Sequence, residues 1–196
     1  MPPPTGIRWS EHHHAPEELA ALFDFLNTTD ERRFGDFVPH DELTSPDALA
    51  GWLAGRELVT SGTAASAADL RLALHLRDVL RACTITNRSG DPAPDLAQLS
   101  RELPLHAVVE PDGALGLRPA AEGVRGALAA LLADAVRAST SGEWGRIKMC
   151  AADDCRNVFF DHSKPRNGRW CASKDCGNRM KTRSYRQRKQ PIVRDR

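Results

Sequence analysis

No part of the chain approaches the roughly 18 consecutive apolar residues of a membrane-spanning helix, and Met1-Pro2-Pro3-Pro4 has none of the blocks of a secretory signal. The expected setting is the cytoplasm, with no membrane partner, where thiols stay reduced. Local catalytic signatures are missing as well. There is no Gly-rich phosphate loop, no nucleophile elbow, no H-E-x-x-H, and no His-x-Glu ahead of a Pro-Cys-x-x-Cys. The chain therefore reads as a non-enzyme. It has no internal repeat, and lysine is absent from the first 142 residues.

That last absence points to a division. The 196 residues carry a formal net charge of +1, but residues 1–142 hold 12 basic against 20 acidic groups, and residues 143–196 hold 15 against 6. The balances are −8 and +9, which sum to +1. An acidic body joined to a basic tail suggests two modules, the second with a polyanionic partner. Docking of the tail on its own acidic body is the other reading of the same numbers.

The tail also holds four of the five cysteines, as Cys150-x4-Cys155, fifteen residues, then Cys171-x4-Cys176. Each close pair can aim two thiolates at one point, and the spacer is long enough for a hairpin that brings the pairs together. Four sulfurs in tetrahedral array suit one structural Zn2+ per chain with no position open for catalysis. A disulfide pair or unrelated core thiols would be the alternative. Strands are expected over 146–149, 158–160 and 168–170, with Phe159, Phe160 and Trp170 packed over the sulfurs. Gly177 would let the chain turn close beside the metal.

Met180 to Lys189 then predicts a basic helix, with Asn178 bracing the turn before it. Arg179, Arg183, Arg186 and Gln190 share one face at three- to four-residue spacing, flanked by Lys181, Arg188 and Lys189. Guanidinium groups there suit phosphates or the guanine edge. A plain solvated face is the bland alternative.

The body reads as mainly helical. The chain should be loose up to about Ser10, with His12-His13-His14 as a solvated turn. Pro16 starts a helix that turns Leu19, Leu22, Phe23 and Leu26 to one side, and Asn27 closes it. Ser45-Pro46 starts another, carrying Leu49, Trp52 and Leu53 inward. Ala64 to Thr86 is the longest helix, with a stripe from Leu72 to Cys83 inside. Arg71, Arg77, Asp78 and Arg81 are expected in solvent and His75 in the core. A short helix is predicted from Pro94 to Glu102, a hairpin over 105–109 and 114–117 about Pro111-Asp112-Gly113, and a helix from Ala120 to Ala138. Ser139 to Gly142 is the linker between modules. A body of 142 residues is large enough to bury a core of its own.

At Cys150-x4-Cys155, Phe159-Phe160-Asp161, Arg169-Trp170-Cys171 and Cys176-Gly177-Asn178-Arg179 the chain resembles the CGNR zinc fingers. At Leu22-Phe23-Asp24-Phe25-Leu26-Asn27-Thr28 and Gly51-Trp52-Leu53 it resembles the ABATE domain. The stretch Ser163 to Arg169 departs from the finger pattern. The resemblance implies a helical N-terminal domain over 1–142 and a treble-clef-like finger over 143–196. It further implies a bacterial DNA-binding transcription regulator that reads DNA through the basic helix. The body would then sense a ligand or stress signal, or pair two copies of the chain. Asn27, at the ABATE signature, is a candidate for a cap or for a weak ligand contact. The runner-up is an RNA-binding or protein-interaction adaptor whose zinc serves only folding. DNA is thus the expected partner, with RNA, a second copy and a small-molecule inducer as further candidates.

Overall fold

The computed structural model describes residues 8–89 and 97–189. Gln190, the first residues of the helix expected from Pro94, and the Pro-rich start lie outside them. Within this range the protein is mainly helical with three small antiparallel strand pairs.

Helix α1 (Trp9–His12) is followed by a 3-10 turn, Glu17–Leu19, that runs into α2 (Ala20–Leu26). Four of the seven residues of α2, Leu22, Phe23, Phe25 and Leu26, are fully buried apolar groups, so this helix sits inside the molecule. Asp24 is buried too, and it accepts the Ser10 N–H at 2.8 Å. The chain at Ser10 is therefore fastened, not loose. Of the three histidines only His14 is exposed: His13 stacks on Trp9 with ring centroids 5.8 Å apart.

Strands β1 (Thr29–Asp30) and β2 (His40–Asp41) pair around the loop between them. Helix α3 (Pro46–Ala54) begins where Ser45 and Pro46 predict, with Ser45 Oγ accepting the Ala48 N–H at 3.1 Å. Helix α4 (Ala67–Ser89) starts three residues later than its apolar pattern suggests. Ser66 and Asp69 cap one another: Asp69 accepts the Ser66 N–H at 2.9 Å, and Ser66 Oγ accepts the Asp69 N–H at 3.2 Å.

After α5 (Ala97–Glu102), strands β3 (Leu105–Val109) and β4 (Leu115–Pro119) form the expected hairpin, with Val109 opposite Leu115 at its tip. Helix α6 (Gly123–Ser141) continues through the stretch predicted as a linker. Gly142 stops it at a φ of 78°, a left-handed end that glycine adopts without strain. Strands β5 (Ile147–Met149) and β6 (Val158–Phe160) pair with Ile147 opposite Phe160, and α7 (Asn178–Lys189) ends the described chain. The third strand expected at 168–170 does not form. Asp161 takes the N–H groups of Ser163 (3.0 Å) and Gly168 (2.8 Å), which closes a loop around the carboxylate instead.

Two expectations about the interior are corrected. The apolar core does not stop at residue 142: Ile147, Val158 and Phe160 join Leu22, Phe23, Leu26, Leu49, Leu76 and Leu128 in one cluster. The cores are not separate because β6 alternates. Val158 and Phe160 point to the body, while Phe159 points the other way. The second correction concerns α4. Arg77 and Arg81 are only 5% and 4% exposed, whereas His75 is exposed. The buried arc of α4 is wider than its leucine stripe and includes Arg77, Arg81 and Thr84.

Those arginines have built partners. Arg77 donates to the Asp41 carboxylate at 2.8 and 2.6 Å and to Thr28 Oγ1 at 3.0 Å. Arg81 donates to the Leu26 carbonyl at 2.6 Å, to Glu31, and to the Arg156 carbonyl at 3.1 Å. Arg81 thus satisfies an orphan carbonyl at the end of α2 and reaches into the C-terminal module.

Asn27 completes this seam. Its Nδ2 donates to the Val158 carbonyl at 3.1 Å and its Oδ1 accepts the Val158 N–H at 3.0 Å. Removing the amide strands two buried main-chain groups. Asn27→Ala is expected to cost about 2–4 kcal/mol and to lower a single melting transition seen both by circular dichroism and by zinc release. A fragment of residues 1–142 should lack cooperative melting. Separate transitions, with the body's unchanged, would refute the shared core.

Candidate metal centre and basic helix

The knuckle after β5 places Cys150 and Cys155, and the turn before α7 places Cys171 and Cys176. Their sulfurs all lie within 4.8 Å of one another. A tetrahedral zinc with bonds of about 2.3 Å sets its sulfurs about 3.8 Å apart. The Cys155–Cys171 and Cys171–Cys176 separations are 3.7 and 3.6 Å, so the donor set fits the ion. The thiols share protons as one group: the neighbouring sulfurs and the Arg179 guanidinium push Cys176 down, while the same neighbours push Cys171 up. A thiolate is the form that binds metal. With four protein sulfurs the site is closed, which makes the zinc structural.

The packing around the sulfurs differs in part from expectation. Phe159, Ala152, Trp170 and Met180 surround them, and so does Phe34, which comes from the β1–β2 loop of the body. Phe160 instead belongs to the body core. Gly177 faces Trp170: a Cβ there would sit 3.2 Å from the indole, so a larger residue would need the ring to give way by a few tenths of an ångström. At Gly168 the approach is closer, since a Cβ would fall 2.7 Å from the Asp161 carboxylate.

Asp161 is the organiser of the loop from Ser163 to Arg169. Lys148, 2% exposed, donates to Asp161 at 2.7 Å and also to the Arg166 carbonyl. Burial works to raise the Asp161 carboxyl, but hydrogen bonds from Lys148, Ser163 and Gly168 outweigh it and hold the group well below the usual carboxylate range.

Helix α7 has no buried residue. Its basic groups divide into two sets. Arg179 pairs with Asp154, donates to Cys176 Sγ at 3.3 Å, and lies 3.4 Å from the centre of the Phe34 ring. Arg183 reaches Asp153 at 3.4 Å. Lys181, Arg186, Arg188 and Lys189 are exposed and make no ion pair among the described residues. Asn178 is exposed as well. Among the described residues no ion pair joins α7 to the body; both pairs go to the acidic residues of the first knuckle.

The body touches the zinc module at several further points. Arg33 N–H donates to the Asp154 carbonyl at 2.9 Å, Arg156 pairs with Glu31 at 2.8 Å, and Asn87 donates to the carbonyls of Trp144 (2.7 Å) and Ile147 (2.9 Å). His13 Nε2 lies 3.1 Å from Asn157 Nδ2. A cavity of about 370 Å3 opens along this seam against the metal site, lined by His12, Arg32 and Phe34 of the body and by Cys155, Cys171 and Cys176 of the module. Asn27 is committed to Val158, so its amide has little capacity left for a ligand. Phe34, Arg33 and Asn87 carry no local signal of their role. The Asp153-Asp154 pair could have been noticed as an acidic break in a basic segment.

A helical body joined to a closed four-cysteine module with a basic terminal helix defines a zinc-finger protein. Family models agree with this architecture. The model described as "CGNR zinc finger" matches residues 146–189, and the ABATE model, described as "Putative stress-induced transcription regulator", matches residues 19–142. The second covers well over half of the chain, and the protein belongs to the ABATE family. No match emerged among curated proteins. Neither family description names an enzyme, and no helix among the described residues is long and apolar enough to cross a membrane.

Two outcomes check the site. Purified protein should carry one zinc per chain, and Cys176→Ser should lose it, as read by elemental analysis; iron in its place would refute the assignment. The second outcome is a pH effect. Burial first, then the neighbouring His12, depress the His13 pKa to about 3. The unfolded chain, with His near 6.5, takes up a proton that the folded state refuses. The His13 contribution to stability is therefore complete above pH 6.5 and is lost as pH falls toward 3. In His13→Phe the slope of unfolding free energy between pH 6.5 and 4 should be shallower than wild type by up to about 1.4 kcal/mol per pH unit. An unchanged slope would contradict the buried neutral imidazole.

Proposed function

We propose that the protein is a DNA-binding transcription regulator in which the zinc module presents α7 to duplex DNA and the acidic body governs how that module is held. The observation that carries this reading is the unpaired charge on α7. Lys181, Arg186, Arg188 and Lys189 stand in solvent on one short helix without a carboxylate partner among the described residues. Like charges so close repel one another, and a phosphate backbone is the partner that relieves the repulsion.

The sensing half of the reading draws support from the seam. Cavity-lining residues come from both modules, so a small molecule bound there would touch the body and the zinc turn together. Phe34 reaches from the body onto Arg179, the second residue of α7. A shift of the β1–β2 loop would therefore be felt at the root of the basic helix. A second copy of the chain would extend the short footprint of one helix to two half-sites.

The test is fluorescence anisotropy with labelled duplexes, after selection of a preferred site from a random pool. If four cations neutralise phosphates, log affinity should fall against log salt with a slope of about −3 to −4. Chelation of zinc should abolish binding. Absence of binding at low salt would end the DNA reading in favour of an adaptor role.

A further inference from the structure

Helix α7 has two sides, and among the described residues only one of them is occupied. Met180 packs into the cluster around the sulfurs, Arg179 lies between Asp154 and the Phe34 ring, and Arg183 reaches Asp153. At 3.6 residues per turn these three positions fall within one arc of about 100°. The opposite arc holds Lys181, Tyr185, Arg188 and Lys189, separated by four, three and one residues.

Tyr185 is the one tyrosine of the chain, and it is 53% exposed. It belongs to neither apolar cluster of the described residues, and the Lys189 ammonium lies 4.8 Å from its ring centre. Burial in the described core therefore does not account for an aromatic ring at that place. With a cation one turn before it and two within one turn after it, the ring occupies the middle of a positively charged stripe.

We infer that the side of α7 that meets duplex DNA is this outer stripe, Lys181, Tyr185, Arg188 and Lys189, and that Tyr185 is its sequence-discriminating residue. The inference rests on the DNA-binding reading above. It moves the contact face away from Arg179 and Arg183, which hold the helix on its module. Twelve helical residues make a rod about 18 Å long, and the major groove of B-DNA, about 12 Å wide, admits such a helix. The three cations then bear on phosphates at the groove walls. The phenol ring offers an apolar surface to a thymine methyl and a hydroxyl to a base edge. A-form RNA closes its major groove to a helix, and one aromatic on a convex surface is a poor platform for unpaired bases. Duplex DNA is the partner that fits.

The test uses the zinc-loaded full chain, with circular dichroism and zinc content confirming that each variant is folded. On the selected duplex and on a scrambled one, Lys181→Ala/Arg188→Ala should weaken binding equally and flatten the log–log salt slope by about two units. Tyr185→Ala should shrink the affinity ratio between the two duplexes by roughly fivefold to a hundredfold and leave the slope unchanged. Tyr185→Phe then separates the hydroxyl from the ring. Arg183→Ala should alter that ratio less than Tyr185→Ala does. Greater loss from Arg183→Ala than from the double variant overturns the inference, as does an unchanged ratio in Tyr185→Ala. So does tighter binding to single strands or to an RNA hairpin than to the duplex. In those cases with duplex binding intact, the DNA reading stands. Failure of the unaltered chain to bind any duplex removes both.

Discussion

Strand β6 serves two apolar clusters with three residues, and the two-residue alternation of a strand makes this workable. Val158 and Phe160 complete the body core, and Phe159 covers the sulfurs. A slip of one residue would send Phe159 into the body and strip the metal cluster. Asn27 holds the register by pairing with both main-chain groups of Val158. Structural zinc contributes roughly 10–16 kcal/mol to modules of this kind. Because β6 belongs to both clusters, part of that free energy supports the body as well. Metal binding and folding of the ABATE domain are linked through one strand.

Around this strand the apolar contacts between modules are flanked by polar ones. Arg81 bridges the end of α2, Glu31 and the Arg156 carbonyl, and Lys148 and Asp161 organise the loop before Cys171. Buried ion pairs add little net stability over apolar replacements, yet breaking one costs about 3–5 kcal/mol. Such contacts specify one arrangement of the two modules more than they strengthen it.

The division of charge on α7 follows from the same economy of partners. Asp153 and Asp154 sit inside the first knuckle and take Arg183 and Arg179, leaving Arg186 and the cations of the outer stripe without an ion pair among the described residues. An acidic pair within a basic module thus orients the helix and selects which cations remain free. Phe34 adds a body residue to that anchor, so the helix root is shared between the two parts of the chain.

Much was legible in the sequence where the determinant is local. Paired Cys-x4-Cys spacings converge on a metal because each knuckle is short. Ser45-Pro46 and Pro111-Asp112-Gly113 act on their own neighbours, and both produced the elements they predict. The basic bias beyond residue 142 needs no structure to be seen. Charged and amide side chains at the seam were different. Arg77 finds Thr28 49 residues away, and Asn27 finds Val158 131 residues away. Periodicity sorts apolar residues into inside and outside, but it gives a charged residue no side until its partner is in place. That is why Arg77 and Arg81 belong in the interior and Arg179 on its module. Only the tertiary structure could decide this, because burial of a charge depends on a complement that the chain supplies from elsewhere.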